Sequence, residues 1–234
     1  MTKLFLPEYE ADDEALAPSQ PIAILGAGGL GREVALLLAQ LVAAGAHWQV
    51  LGFYDDQPPA TPTVAGLPYF GTSADLNAVA EPLAVAVAVG NSASRAAVVG
   101  RLTSRQLRFP ALVHPHVELA AHQRITLGEG CLIQPGCQLT CDIRLGRFVL
   151  LSPGCTVGHD AILEDFCSLM PQASVGGAAH LHTGAYVGAH ATVIQGISVG
   201  EYAVLGAGAV AVRAVAARTT AVGVPARSLA KLTP

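Results

Sequence analysis

The sequence predicts a small α/β domain followed by a parallel β-solenoid. Two observations predict the solenoid. From position 127 to 210 the chain divides into fourteen consecutive six-residue blocks without an insertion, and every block begins with Leu, Ile or Val. The fifth residue of each block is Ala, Cys, Ile or Val. A third observation, the alternation of strand-like and helix-like segments before position 114, predicts the α/β domain.

The α/β domain is predicted from its elements in order. Short apolar runs bounded by Gly, Pro or Asp are typical of buried strands, and longer amphipathic runs between them are typical of helices. Their alternation predicts a small parallel sheet. The predicted strands are 21–25, 48–54, 83–89 and 109–113, and the predicted helices are 32–44, 73–80 and 92–106.

A glycine-rich turn separates the first strand from the first helix. It has the form G-x-G-x-x-G, and its glycines are Gly26, Gly28, Gly29 and Gly31. Such glycines let phosphate oxygens approach the amides at a helix N-terminus. Asp55 and Asp56, at the end of the second strand, are placed to accept hydrogen bonds from a ribose or a base. A second interpretation is that these glycines serve only strand-to-helix packing.

Taken alone, this turn is the sequence motif of a dinucleotide-binding site, and the ligand most often expected at such a site is a nicotinamide cofactor. The length of the domain argues against that cofactor. About ninety residues supply one mononucleotide-binding half, whereas a dinucleotide normally spans two. A nucleotide-linked substrate held by its diphosphate therefore fits better.

The solenoid follows from the six-residue period, because the faces of an α-helix repeat at about 3.6 residues. Each block is then a short strand and a turn, and three blocks make one coil whose aliphatic residues stack inside. Glycine is the second residue of half the blocks, including Gly128, Gly146, Gly158 and Gly188. We expect these turns to require a positive φ. Flanking blocks, from Pro115 and beyond Val210, are predicted to extend the solenoid.

Composition excludes several partners. Only 13% of the 234 residues are charged, which predicts that much surface is buried between subunits. The net charge is -4 and the only lysines are Lys3 and Lys231, so no basic stripe is available for nucleic acid. The apolar runs are too short to cross a bilayer and the N-terminus lacks the order of a signal peptide. The sequence predicts a soluble, cytoplasmic protein without membrane insertion.

Four of the five cysteines share one position in the repeat. They are the fifth residues of their blocks, namely Cys131, Cys137, Cys155 and Cys167. A free cysteine packs as a small apolar residue, and no C-x-x-C pair of the kind that binds zinc is present. We predict a structural role for these four cysteines and no metal site.

Both halves of the chain after residue 20 resemble one family, the sialic acid O-acetyltransferases and bacterial nucleotide-amino-sugar N-acetyltransferases. The similar segments are GAGGLGREV at 26–34, FYDD at 53–56, GNSASR at 90–95, VHP at 113–115, VGHD at 157–160 and VGVPAR at 222–227. The resemblance implies a small α/β Rossmann-like domain followed by a left-handed parallel β-helix of hexapeptide repeats. It also implies a homotrimer with active sites between subunits. The implied reaction moves an acetyl group from acetyl-CoA to a nucleotide-linked 4-amino-4,6-dideoxy sugar or to a sialic acid.

The resemblance divides the chain into four segments. Residues 1–20 are an acidic N-terminal tail that matches nothing in the family. Residues 21–113 form the Rossmann-like domain that binds the nucleotide sugar. Residues 114–215 form the β-helix, and residues 216–234 contribute to the coenzyme A site.

The family's catalytic histidine and its acidic neighbour map onto His159 and Asp160. An amine must lose a proton to attack a thioester, and an imidazole accepts that proton near neutral pH. The neighbouring carboxylate would fix the imidazole tautomer. As the third residue of its block, His159 lies outside the aliphatic column. One coil further along, the amide of Gly177 is implied to bind the oxyanion.

The remaining site residues follow from the resemblance. Asn91 and Arg95, in the GNSASR segment, are implied to bind the nucleotide sugar. The residues implied to bind acetyl-CoA are Gly177, Gln195, Gly206, Ala207, Arg213, Pro225 and Arg227. Arg218 is a further candidate for the phosphates of acetyl-CoA.

The chain departs from the family at three positions. Several members have a histidine, an asparagine and a second histidine where this chain has Leu30, Ser152 and Ser168. These departures leave the sugar and the choice between N- and O-acetylation open. Two other hypotheses about the function remain. One is a trimer that binds a nucleotide without catalysing a reaction, and the other is a nicotinamide-dependent protein.

Overall fold

The computed structural model describes residues 19–229, which form an α/β domain and a three-sided parallel β-helix. The predicted N-terminal tail lies outside the described residues, except for its last two. Within residues 19–229, no helix is long and apolar enough to cross a membrane.

The α/β domain contains a six-stranded sheet in the order β3-β4-β2-β1-β5-β6, parallel except for the hairpin of β3 and β4. Its strands are β1 (Gln20–Leu25), β2 (Trp48–Tyr54), β3 (Thr63–Val64), β4 (Leu67–Gly71), β5 (Leu83–Val87) and β6 (Leu107–Arg108). Its helices are α1 (Gly29–Ala43), α2 (Ser73–Asn77) and α3 (Ser92–Arg101). Every residue of β5 is buried, as expected for a parallel strand covered on both faces.

The ends of α1, α2 and β5 lie within three residues of the predicted bounds, and three larger differences from the sequence prediction occur in the α/β domain. The hairpin of β3 and β4 was not predicted, because it lies in a segment rich in Pro and Gly. Helix α3 ends at Arg101 rather than near 106, where the Asn77 side chain donates to the Arg101 carbonyl and accepts from the Thr103 amide. The last predicted strand, 109–113, does not join this sheet: residues 112 and 113 pair with the β-helix.

The β-helix is built from strands of two residues, or three in β23, on three faces. The first face contains β10 (Gln138–Leu139), β13 (Thr156–Val157), β16 (Ser174–Val175), β19 (Thr192–Val193) and β22 (Val210–Ala211). The second face contains β8 (Thr126–Leu127), β11 (Arg144–Leu145), β14 (Ile162–Leu163), β17 (His180–Leu181) and β20 (Ser198–Val199). The third face contains β7 (Leu112–Val113), β9 (Leu132–Ile133), β12 (Leu150–Leu151), β15 (Ser168–Leu169), β18 (Tyr186–Val187), β21 (Val204–Leu205), β23 (Thr220–Val222) and β24 (Arg227–Ser228).

The coils repeat every 18 residues: Val157 pairs with Leu139 in one direction and with Val175 in the other. The predicted column of first and fifth residues forms one core, in which Leu151, Cys155 and Ala185 are fully buried. The repeat changes only at its ends. Leu112 pairs with Leu132, a spacing of 20, and Thr220 pairs with Val204, a spacing of 16.

Positive φ angles occur in every coil, but at a different position from the predicted one. The fourth residue of each of the fourteen blocks is left-handed. Eight of these fourth residues are not glycine: Asp142, Phe148, Asp160, Phe166, Gln172, Ala178, His190 and Tyr202. None of the second-position glycines named above has a positive φ, so the prediction of positive φ at these glycines was wrong.

The second-position glycines are required by the approach of successive coils. A Cβ atom on Gly188 would lie 2.6 Å from the amide nitrogen of Ala207, and one on Gly158 would lie 2.6 Å from that of Gly177. Both distances are shorter than van der Waals contact, and backbone cannot move aside as a side chain can. Glycine stands there because the next coil occupies the space.

The four cysteines predicted to be structural are buried free thiols. Burial raises the pKa of Cys131 to about 11 and that of Cys167 to about 12. A thiol with such a pKa stays protonated at neutral pH and is a poor nucleophile or metal ligand.

The α/β domain packs against the third face. Leu132 and Leu150 of that face share a core with Ile22 and Leu37 of the domain. We name the three edges of the β-helix by one residue each. Turns of the His159 edge join the first face to the second, turns of the Glu164 edge join the second to the third, and turns of the Gly206 edge join the third back to the first. The His159 edge is therefore opposite the face that carries the α/β domain.

Replacing Gly188 with Ala is expected to lower the free energy of unfolding by about 1–3 kcal/mol, because the methyl group collides with the next coil. Replacing Gln172, whose φ is 59°, with Gly is expected to leave it unchanged or raise it by up to about 1 kcal/mol. Urea unfolding at matched protein concentration measures both variants. Equal losses in the two would contradict this account of the turns.

Candidate active site

The His159 edge carries an exposed imidazole and carboxylate in contact. His159 and Asp160 lie in the turn between β13 and β14, and the Nδ1 atom of His159 is 2.8 Å from the Oδ2 atom of Asp160. Their side chains are 65% and 61% exposed. The carboxylate favours the tautomer with the proton on Nδ1, which leaves the lone pair of Nε2 available to a ligand.

Gly177 lies against the imidazole of His159, one coil further along. A Cβ atom at this position would be 2.6 Å from the Nε2 atom of His159. The amide of Gly177 donates to no acceptor within residues 19–229, whereas the next amide, that of Ala178, donates to the His159 carbonyl. A proton acceptor and an uncommitted amide therefore lie side by side, and only glycine leaves room for this imidazole position.

The residues predicted to bind acetyl-CoA lie at two different edges of the β-helix. Gly177, Gln195 and Arg213 follow His159 along the same edge, with Gln195 and Arg213 exposed. Gly206 and Ala207 are on the Gly206 edge. Pro225 and Arg227 come after β23, whose Ala221 accepts from the Gly206 amide. One chain by itself does not bring the two groups together.

Arg218 is engaged within the chain. Its guanidinium is 3.0 Å from the Glu201 carboxylate and lies over the ring of Tyr202, 5.4 Å from the centroid. These contacts argue against the predicted role of Arg218 at the phosphates of acetyl-CoA. Arg213, in contrast, has no ion-pair partner within the described part of the chain.

The four glycines of the turn in the α/β domain fall into two pairs that differ in their surroundings. Gly26 has a φ of 114°, and a Cβ atom there would be 2.5 Å from the Ala88 carbonyl oxygen; one on Gly31 would overlap the Gly26 carbonyl. These two glycines serve packing. Gly28 and Gly29 are exposed; within residues 19–229, a Cβ atom on Gly28 would meet nothing within 4 Å and one on Gly29 would meet only the Arg32 guanidinium, at 4.0 Å. They remain accessible to a ligand at the start of α1, whereas the packing interpretation applies to Gly26 and Gly31.

Asp55 and Asp56 lie where the sequence predicted, beyond the carboxyl ends of β1 and β2. They line a cavity of about 360 Å³ together with Gly26 and Arg101. The carboxylate of Asp55 accepts from the amides of Ala27 and Gln57 at 2.7 and 2.8 Å. Asp55 therefore holds the shape of the glycine turn.

Asp56 is held by helix α2 and helix α3. Its carboxylate accepts from the Ser73 amide at 2.9 Å and pairs with Arg101 at 2.6 Å. The hydrogen bonds from Ser73, followed by the charge of Arg101, lower the pKa of Asp56. Open α/β sheets bind ligands in the crevice beyond the strand ends, which is where this cavity lies.

Asn91 and Arg95, predicted to bind the nucleotide sugar, both make hydrogen bonds within the chain. The Oδ1 atom of Asn91 accepts from the Ser94 amide at 2.9 Å and caps α3, although Asn91 also borders the cavity between the domains. Arg95 is only 2% exposed. Its guanidinium donates to the carbonyls of Val89, Gly90, Phe148, Phe166 and Cys167 and to the hydroxyl of Ser168.

Arg95 is therefore a connection between the two domains rather than a ligand contact. Burial lowers its pKa to about 10, so it remains charged at neutral pH. Ser168, one of the departures from the family, is fully buried and bonds to Ser92 at 3.0 Å as well as to Arg95. This serine belongs to the domain junction.

A cavity of about 500 Å³ between the α/β domain and the third face was not predicted. It is lined by Asn91 and Ser92 at the start of α3 and by Met170, Tyr186 and Tyr202 of the β-helix. These three β-helix residues occupy outward positions of their blocks, where the six-residue pattern carries no constraint. The only available signal was that two aromatic residues occupy outward positions.

Comparisons with known proteins agree with this architecture. The family model described as the PglD N-terminal domain matches residues 21–102. The acetyltransferase domain of PglB from Neisseria gonorrhoeae FA1090 is 27% identical, with a TM-score of 0.81 over 90% of this chain and 100% of that chain. WeeI from Acinetobacter baumannii AYE is 30% identical, with a TM-score of 0.79 and the same coverage. The chain belongs to the amino-sugar acetyltransferase family.

A further member of this family is a single-residue variant of perosamine N-acetyltransferase from Caulobacter crescentus, solved with CoA and GDP-perosamine. It is 26% identical, with a TM-score of 0.79 over 90% of this chain and 97% of that chain. Comparison with curated proteins gives no match. The predicted fold class, a Rossmann-like domain followed by a left-handed β-helix of hexapeptide repeats, is confirmed.

Replacing Arg95 with Met is expected to lower the free energy of unfolding by about 3 kcal/mol or more, because it leaves several buried carbonyls without a donor. Replacing the exposed Arg144 with Met should change it by less than about 0.5 kcal/mol. Chemical denaturation measures both. A fully stable Arg95→Met variant with weaker nucleotide-sugar binding would restore the predicted substrate role.

Proposed function

We propose that this acetyltransferase moves an acetyl group from acetyl-CoA to the 4-amino group of a nucleotide-linked 4-amino-4,6-dideoxy sugar, with His159 as the general base. The placement of His159, Asp160 and Gly177 carries the proposal. GDP-perosamine, bound in a structure of one family member, supports an amino sugar as acceptor. The choice of an amine over a sugar hydroxyl, which would make the enzyme an O-acetyltransferase, rests on that likeness.

The proposed reaction uses one proton acceptor and one hydrogen-bond donor. The sugar amine attacks the thioester carbonyl and its proton passes to the Nε2 atom of His159. Asp160 keeps the Nδ1 proton in place and stabilises the imidazolium that forms. The amide of Gly177 donates to the oxyanion of the tetrahedral intermediate. The carbon–sulfur bond then breaks, and the coenzyme A thiolate leaves and is protonated.

The nucleotide is proposed to bind the α/β domain beyond the ends of β1 and β2. Its diphosphate would approach the amides of Gly28 and Gly29 at the start of α1, where the helix dipole favours negative charge. Asp55 and Asp56 border the adjacent cavity and keep lone pairs for a ribose or base.

The position of the His159 edge supports an active site completed by a neighbouring subunit in a homotrimer. His159 is on the edge opposite the face that holds the α/β domain, so a sugar bound to that domain faces away from the His159 of its own chain. The predicted residues for acetyl-CoA are likewise divided between two edges. A groove between the β-helices of two subunits would bring Gly177 and Gln195 of one chain close to Gly206 and Ala207 of another.

Replacing His159 with Ala is expected to lower kcat by at least about 10²-fold, the usual effect of losing a general base. Replacing Asp160 with Asn should lower kcat less and leave the KM for acetyl-CoA unchanged. Release of free coenzyme A thiol measures turnover. Replacing His47, an exposed histidine at the amino end of β2, with Ala is the control. A kcat of His159→Ala close to that of the unchanged protein would remove the mechanism.

Mixed oligomers test the shared site. Gly28→Glu places a carboxylate at the proposed diphosphate site, and we expect it to be inactive, as is His159→Ala. Because the two defects lie in different domains, mixed oligomers should contain some sites with neither defect and regain a measurable fraction of activity. Co-expression with two purification tags and a thiol-release assay measures this recovery. No recovery in verified mixed oligomers would place both parts of the site on one chain.

A further inference from the structure

Three potential metal ligands meet on the Glu164 edge and the adjoining second face, away from His159. They are Glu164, His180 and His182, and all three are partly buried. The Oε1 atom of Glu164 is 2.7 Å from the Nε2 atom of His180 and 3.1 Å from the Nδ1 atom of His182. The three candidate ligand atoms lie within 4.8 Å of one another.

The register of the β-helix creates this cluster. Glu164 and His182 are separated by one coil at equivalent positions of their turns, and His180 precedes His182 by two residues on the next coil. The two imidazole rings stack with centroids 4.1 Å apart. Both rings therefore direct a nitrogen at the same carboxylate oxygen.

The other polar atoms of the cluster are held in place by neighbours. The second oxygen of Glu164 accepts from the amide and from the hydroxyl of Thr183, both at 2.9 Å. The Nε2 atom of His182 is 3.0 Å from the Ser198 hydroxyl. In metal sites, hydrogen bonds of this kind hold each ligand in orientation through the atom that does not bind the metal. For a carboxylate that atom is its second oxygen, and for a histidine it is its second ring nitrogen.

We propose that Glu164, His180 and His182 form a binding site for a divalent transition metal ion, with Zn²⁺ as the ion that fits best. Two imidazoles and one carboxylate are a common zinc ligand set. Tetrahedral ligands about 2.0–2.1 Å from zinc are roughly 3.3 Å apart, so the separation from the Glu164 Oε1 atom needs to lengthen by about 0.6 Å to His180 and by about 0.2 Å to His182.

The site bridges two successive coils, because Glu164 belongs to one and both histidines belong to the next. A bound ion would tie these coils together and stabilise the β-helix. It would not take part in the proposed acetyl transfer, since the His159 edge is at the other end of the second face. The sequence did not reveal the site because its ligands are 16 and 18 residues apart and match no zinc motif.

Titration calorimetry with zinc chloride and untagged, metal-free protein tests the site. We expect one ion per chain with saturable binding, and a rise in the thermal midpoint because the ion binds only the folded chain. Glu164→Gln keeps the shape of the side chain, and His182→Ala removes a ligand. Each should weaken zinc binding by at least about 10-fold. His47→Ala should bind zinc like the unchanged protein.

Circular dichroism of each variant without zinc shows whether it is folded. Cobalt(II) substitution gives a second readout, because ligand-field bands in the visible spectrum report coordination by these side chains. Visible bands that disappear in Glu164→Gln support the site. Absence of saturable zinc binding to the unchanged protein, or unchanged affinity in both folded variants, would overturn it.

Discussion

The 18-residue register between successive coils is the constraint on which the rest of the structure depends. Because the spacing holds from 126 to 211, residues 18 apart lie directly above one another. The register places Gly177 against His159 and His182 next to Glu164. At Gly158 and Gly188 it also brings the backbone of the next coil within 2.6 Å of the place where a Cβ atom would lie. One residue inserted between 164 and 177 would disturb both the pair of His159 with Gly177 and the pair of Glu164 with His182.

A second constraint is the buried guanidinium of Arg95. It is charged, fully hydrogen-bonded and bound almost entirely to carbonyl oxygens of both domains. A buried charge of this kind is tolerated only when all of its donors find acceptors, which requires the α/β domain to sit at one position on the third face. The α/β domain therefore sits on the face opposite the His159 edge of the same chain. The geometry of the domain junction therefore favours a site shared between subunits.

Much of this architecture could be predicted because the signals are local and repeated. The aliphatic first residues and small fifth residues identified the core of the β-helix, and strand β2 lies at its predicted bounds. His159 and Asp160 were recognised from a short segment and are adjacent in the chain, so their contact depends little on the fold. The errors came where local signals are weak, such as the short hairpin of β3 and β4.

Other features required contacts between distant parts of the chain. The roles of Gly26 and Gly31 differ from those of Gly28 and Gly29 only because of neighbouring backbone, including the carbonyl of Ala88. Arg95 was predicted to bind substrate from the family resemblance of its segment, and nothing in that segment indicates six partners in two domains. Likewise, positive φ could not be assigned to the fourth residues from their identity, as eight of them are not glycine.

The sequence by itself determined the repeat, the α/β elements and the residue types available for acetyl transfer, because periodicity and short segments act through near neighbours. The tertiary structure alone decided the contacts that neither the repeat nor the family resemblance had indicated. Stacking of coils brought Glu164 to its two histidines, and docking of the domain buried Arg95. These outcomes depend on distances between residues far apart in the chain, which side-chain identity does not encode locally.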